Sequence, residues 1–170
     1  MIGSYVRLID GQKVPSVEQV LNAFIDSTHL TYMWMDLKGN KDIFKYLEPI
    51  VRKATARAAA QNRHVVIFAG LPSTDVIDEL HKQPSYADLT TLCELSVYLS
   101  LENKSKFYGP RFSQGLLLDE VKKAHANGIK VISWTLNDKG LIKNYLQNGQ
   151  FDGFITDYPA YVVYDFYTMF

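Results

Sequence analysis

The chain has one cysteine, Cys93, among its 170 residues. An internal disulfide is therefore impossible, and a metal site built on several thiolates is excluded. Net charge is also lacking, since 18 basic residues balance 18 acidic ones. With no basic field, nucleic acid is not an expected partner. No apolar run reaches the roughly 20 residues of a membrane-spanning helix. The N-terminus has no charged-then-apolar export signal. The compartment stays open, with the cytoplasm as default. Glycine is scattered: "FAGLPSTD" (68–75) holds one, too few for a phosphate-cradling loop. No Ser/His/Asp or Cys/His arrangement is evident, and Cys93 within "TLCEL" reads as a small buried hydrophobe.

What is present is ordinary globular material, 47% hydrophobic and 21% charged, enough for one domain over residues 1–170. Strand-like and helix-like segments alternate. Ser16 caps a helix carrying Val17, Val20, Leu21 and Phe24 at helical spacing, with Gln19 as its capping-box partner. "LTYMWMDLKG" is a buried strand turning polar at its end. Asp42 to Gln61 is a long helix with Ile43, Leu47, Ile50, Val51, Ala54 and Ala58 as its stripe. "HVVIFAG", "DLTTLCEL", "SKFYGPRF", "IKVISWTLND" and "DGFITD" read as further strands. "STDVIDELHK", "LLLDEVKKAHANG" and "KGLIKNYLQNG" read as the helices among them.

Strands apolar on both faces and separated by helices predict a parallel sheet under helices. Each strand ends in polar residues: Asp36 and Lys38, Glu94, Asn137 and Asp138, Thr156 and Asp157. In parallel α/β folds, functional groups gather at those carboxyl ends.

Four segments carry a family resemblance: "VPSVEQVL" (14–21), "MDLKG" (35–39), "AHANGIKVISWTLND" (124–138) and "FDGFITDYP" (151–159). In order and spacing they resemble the glycerophosphodiester phosphodiesterases. The last two are the specific ones, matching that family's Ala-His-x-x-Gly with Trp-Thr-Val-Asn and its closing Asp-Gly-Ile-Ile-Thr-Asp-Tyr-Pro. Residues 70–115 match poorly. The family's His-Arg-Gly, Glu-Asn-Thr, Glu-x-Asp and His-Asp motifs do not occur in this sequence. The resemblance implies an α/β fold derived from a TIM barrel, with parallel strands alternating with helices. It is incomplete, at about six βα units and lacking the first two. Met1 then falls just before the family's third βα unit.

The resemblance also implies roles. Asp36 takes the position of a metal-binding Glu, Lys38 that of a phosphate-facing Lys, and Trp134 that of a substrate-wall tryptophan. From the residues alone, Asp36 reads as a loop-capping carboxylate, Lys38 as a solvated rim charge and Trp134 as either a core indole or a substrate wall. Asp157 reads as structural, holding the turn before Tyr158. A complete family member would hold a divalent metal, Mg²⁺ or Ca²⁺; one carboxylate does not hold such an ion tightly.

No histidine falls at a strand's carboxyl end. His29 and His64 precede strands, and His81 and His125 sit on helices. No residue is therefore assigned a catalytic role. The expected parent activity is hydrolysis of glycerophosphodiesters to glycerol 3-phosphate and an alcohol, the isolated chain being inactive. The alternative is a catalytically silent, barrel-derived domain binding a phosphorylated ligand or a protein partner. Open sheet edges and the aromatic tail "YVVYDFYTMF" (161–170) predict a homo-oligomer.

Overall fold

A computed structural model describes residues 11, 13–38, 41–84 and 86–169. Met1 and Gly39 lie outside them. The described residues form a six-stranded sheet in the order β1-β2-β3-β4-β5-β6. The strands are β1 (Tyr32–Met35), β2 (Val66–Leu71), β3 (Thr91–Cys93), β4 (Phe107–Tyr108), β5 (Lys130–Ser133) and β6 (Gly153–Phe154), and each neighbouring pair is parallel. The helices are α1 (Val17–Ser27), α2 (Phe44–Ala60), α3 (Thr74–His81), α4 (Val97–Glu102), α5 (Leu118–Ala126), α6 (Lys139–Asn148) and α7 (Pro159–Met169).

The local chemistry explains the element starts. Ser16 Oγ accepts from the Gln19 amide at 3.2 Å and Gln19 Oε1 accepts from the Ser16 amide at 2.8 Å, closing the capping box. Ser73, Ser96 and Asp138 cap α3, α4 and α6, each side-chain oxygen accepting from the amide three residues ahead. The α1 stripe differs from expectation at two positions. Val17 and Val20 are exposed, whereas Leu21, Phe24 and Ile25 are buried against α2. On α2 the buried face is Phe44, Leu47, Val51, Ala54 and Ala58. Helix α4 has no counterpart in the sequence reading: six residues are too short to display a 3.6-residue period, and its Ser96 cap is the one local signal.

Strand alternation sorts the core into an outer and an inner layer. Ile67, Ala69 and Leu71 of β2 join α1, α2 and α3 in the main outer cluster. Phe68, Leu92 and Phe107 face the opposite way, with Trp34, Val66 and Ile132 packed on them. The sheet is strongly curled. Tyr32 of β1 meets Phe107 of β4 edge-on at 6.3 Å, and Trp34 of β1 meets Trp134, just after β5, at 5.9 Å. At about 4.8 Å per strand, a flat sheet would hold those strands roughly 14 and 19 Å apart. The molecule is therefore a curled half-barrel, as the sequence led us to expect. Its concave side is an open trough of about 590 Å³ lined by Tyr32, Trp34, Phe68, Phe107, Ile132 and Phe154.

The aromatic tail forms α7, which packs on α6 through Val162. No α7 residue is buried, and Val163, Tyr164, Phe166 and Tyr167 are exposed. Among the described residues, none of α7 lines the trough.

Candidate functional site

The carboxyl ends of the strands bring together residues far apart in sequence. Asp36 and Lys38 follow β1 and pair at 2.9 Å, both well exposed. Glu94 follows β3, Arg111 follows β4 and Trp134 follows β5. Asp36, Lys38 and Arg111 all act electrostatically on Glu94, which places the four charges on one rim. Trp134 stands against Trp34 at 5.9 Å and carries the Arg111 guanidinium 5.0 Å over its ring. Its indole Nε1 donates to the Gly109 carbonyl at 2.7 Å, which fixes the ring plane.

Gly70 of β2 makes the centre of this rim possible. A Cβ there would lie 2.7 Å from Trp34 Nε1 and 2.8 Å from Glu94 Oε1. Both atoms are buried without a hydrogen-bond partner. Unpaired buried polar atoms cost about 1–3 kcal/mol each, and such sites cluster where function demands them.

Burial, and secondly the Asp36 charge, push the Glu94 carboxyl above the ordinary value of 4.5, while Lys38 and Arg111 pull the other way. The folded chain therefore takes up a proton at Glu94 more readily than the unfolded chain. The stability tied to that proton is fully present below the ordinary value and is lost as pH rises through the raised one. Glu94→Gln is expected to raise the urea midpoint at neutral pH and to leave it unchanged well below pH 4.5. A neutral-pH midpoint below that of the parent overturns this account.

The closing turn is held by side chains. Asn137 Nδ2 donates to Asp157 Oδ2 at 2.7 Å, and Asn137 Oδ1 accepts from the Asp157 amide at 2.9 Å. Thr156 Oγ1 in turn accepts from the Tyr158 amide at 3.0 Å. Asp157 thus shapes the turn, in line with its structural reading.

The two most recognisable motifs also meet at the opposite end of the sheet. His125 Nε2 lies 2.8 Å from Asp152 Oδ2, which also accepts the Val131 amide at 2.7 Å. This ties α5, β5 and the start of β6 together. The other histidines are as far from the rim in topology. His29 and His64 precede β1 and β2, and His81 ends α3, its ring 4.9 Å from that of Tyr86.

The donor set does not suit a divalent cation. No group of three or more His, Cys, Asp or Glu residues among the described residues could hold one. Asp36 is already engaged by Lys38, and Glu94 is held toward its neutral form by burial.

Sequence reasoning placed Asp36, Lys38 and Trp134 at strand ends, and the curl of the sheet sets them on one rim. Arg111, Trp34 and Gly70 were missed. Trp34 sits in a strand apolar on both faces, so its inward direction is invisible in "YMWMD". Arg111 lies in the turn of "YGPRF", after a strand of only two residues.

Parallel strands in sequential order, helices outside and a polar rim at the carboxyl ends define a (β/α)-barrel-type α/β protein. The profile of the glycerophosphoryl diester phosphodiesterase family matches residues 73–161, just over half of the chain. The chain belongs to that family. Members of the family generally use a divalent metal.

Solved structures agree on the fold. A glycerophosphodiester phosphodiesterase from Parabacteroides distasonis superposes with a TM-score of 0.70 at 16% identity, over 96% of this chain and 68% of its own. A putative glycerophosphoryl diester phosphodiesterase from Silicibacter pomeroyi gives 0.69 at 20% identity, over 94% of this chain and 58% of its own. A phosphodiesterase from Oleispira antarctica, in complex with the product sn-glycerol-3-phosphate, gives 0.60 at 15% identity, over 90% of this chain and 61% of its own. The chain thus spans less than two thirds of the last two structures. No curated protein sequence matches it. No helix among the described residues is long and apolar enough to cross a membrane.

Proposed function

We propose that this chain forms the phosphate-ester-binding side of a glycerophosphodiester phosphodiesterase site. The whole protein would hydrolyse glycerophosphodiesters to glycerol 3-phosphate and an alcohol. Lys38 meets the phosphate, and Trp134, braced edge-on by Trp34 at 5.9 Å, walls the organic part. One observation carries this reading: Asp36, Lys38 and Trp134 share one rim at the carboxyl ends of β1 and β5. Asp36 supplies a single carboxylate there; other groups would be needed to complete a metal site.

A second reading, a catalytically silent binding domain, is favoured by the placement of all four histidines away from that rim. Both readings predict binding. Titrating the chain with sn-glycerol 3-phosphate, followed by tryptophan fluorescence, should give a saturable change. Lys38→Met and Trp134→Phe should each weaken it, Lys38→Met by about tenfold or more, the range of a charge-assisted hydrogen bond. A folded parent chain with no saturable response overturns the proposal.

A further inference from the structure

We infer that Arg111 is an anion-binding residue of this rim, taking the phosphate of a bound phosphate ester beside Lys38. This deepens the reading of the rim given above and rests on it.

Three observations support it. The first is the lack of a partner. Arg111 is exposed, and no described carboxylate lies within 4.0 Å of its side chain. Lys38, by contrast, is paired with Asp36 at 2.9 Å. Of the two rim cations, Arg111 is the one whose charge is not already matched by direct contact.

The second is the platform. The guanidinium lies 5.0 Å over the Trp134 ring, and that ring is itself pinned by the bond from its Nε1 to the Gly109 carbonyl. An arginine stacked on an aromatic face keeps its planar fork of N–H donors free at the edge. Much of the rotamer freedom a mobile cation loses on binding is already lost here.

The third is the backbone beneath it. Residue 111 forms an isolated parallel bridge with residue 134, the Phe112 amide donates to the Trp134 carbonyl at 3.0 Å, and the Arg111 amide donates to Gln114 Oε1 at 2.9 Å. The segment carrying the cation and the wall carrying the indole are therefore locked together.

A planar fork held over a tryptophan, exposed to solvent and on the same rim as the Lys38 amine, suits the oxygens of a phosphate. Guanidinium engages phosphate in bidentate fashion, which an ammonium cannot do. The matching ligand class is a small phosphate ester. The phosphate sits between Arg111 and Lys38, and the organic group lies along the Trp34–Trp134 wall.

The experiment is a fluorescence or calorimetric titration of the full chain with inorganic phosphate and with sn-glycerol 3-phosphate. The parent, R111Q, R111K and K38M are compared. R111Q should bind both ligands about tenfold to a hundredfold more weakly than the parent. R111K, which keeps the charge but loses the fork, should fall between them and carries the same test if R111Q does not fold. Parent-like affinity in folded R111Q, with K38M weakened, overturns the role of Arg111 and leaves the rim reading standing. No binding by the parent overturns both.

Discussion

The 170-residue chain assayed alone on glycerophosphocholine, with Mg²⁺ or Ca²⁺ added, is expected to show at most trace turnover. Cleaving a phosphodiester requires a group to deprotonate the attacking oxygen and another to protonate the leaving one. Each such group is worth about 10²–10⁴-fold. All four histidines lie away from the rim, on helices or before strands. Asp157 holds the closing turn, Asp138 caps α6, and Asp36 is paired with Lys38. Glu94 is the remaining rim acid, and its Oε1 is buried against the space above Gly70. Turnover comparable to that of a complete family enzyme would show that the rim carries its own acid and base.

The chain is also expected to self-associate into a dimer or larger. Parallel sheets are normally covered on both faces. Here the inner face opens as a trough of about 590 Å³, and among the described residues β1 and β6 each pair on one side only. Unpaired strand edges invite another chain. Helix α7 adds Val163, Tyr164, Phe166 and Tyr167, all exposed, to that end of the molecule. Exposed apolar side chains that gather into a large patch mark interaction sites. Light scattering should report a dimer or larger. Tyr32→Lys, placing a charge on the edge strand, and the pair Tyr164→Glu with Tyr167→Glu on α7 should each shift the population toward monomer. A parent that stays monomeric at high concentration overturns this expectation.

Much of the fold was legible because its signals are local. Ser16 announces a helix start through a side chain bonding the amide three residues ahead, and the structure repeats that bond. Apolar runs bounded by polar residues gave the strands, and strand–helix alternation gave the parallel sheet. Signals weaken as elements shorten. α4 has six residues and β4 has two, so neither periodicity nor alternation has room to appear. The α1 stripe misled at Val17 and Val20 for a different reason. They fit the helical spacing, but α2 covers only the face carrying Leu21, Phe24 and Ile25.

The site divides along the same line. By itself the sequence determined which residues stand at strand ends: Asp36 and Lys38, Glu94, Trp134, Asn137 and Asp157. It did so because a strand's end is fixed by its own apolar run and the turn chemistry that follows. Only the tertiary structure decided which of these meet, because contacts between β1, β3, β4 and β5 depend on how far the sheet curls. That curl carries Trp34 to Trp134, sets Arg111 on an indole, and makes Gly70 the position where any side chain would displace Trp34 or Glu94. The two most recognisable motifs also meet at the end of the sheet opposite the rim, where His125 and Asp152 pair at 2.8 Å, because residues before a strand and residues after it lie at opposite ends of a parallel sheet.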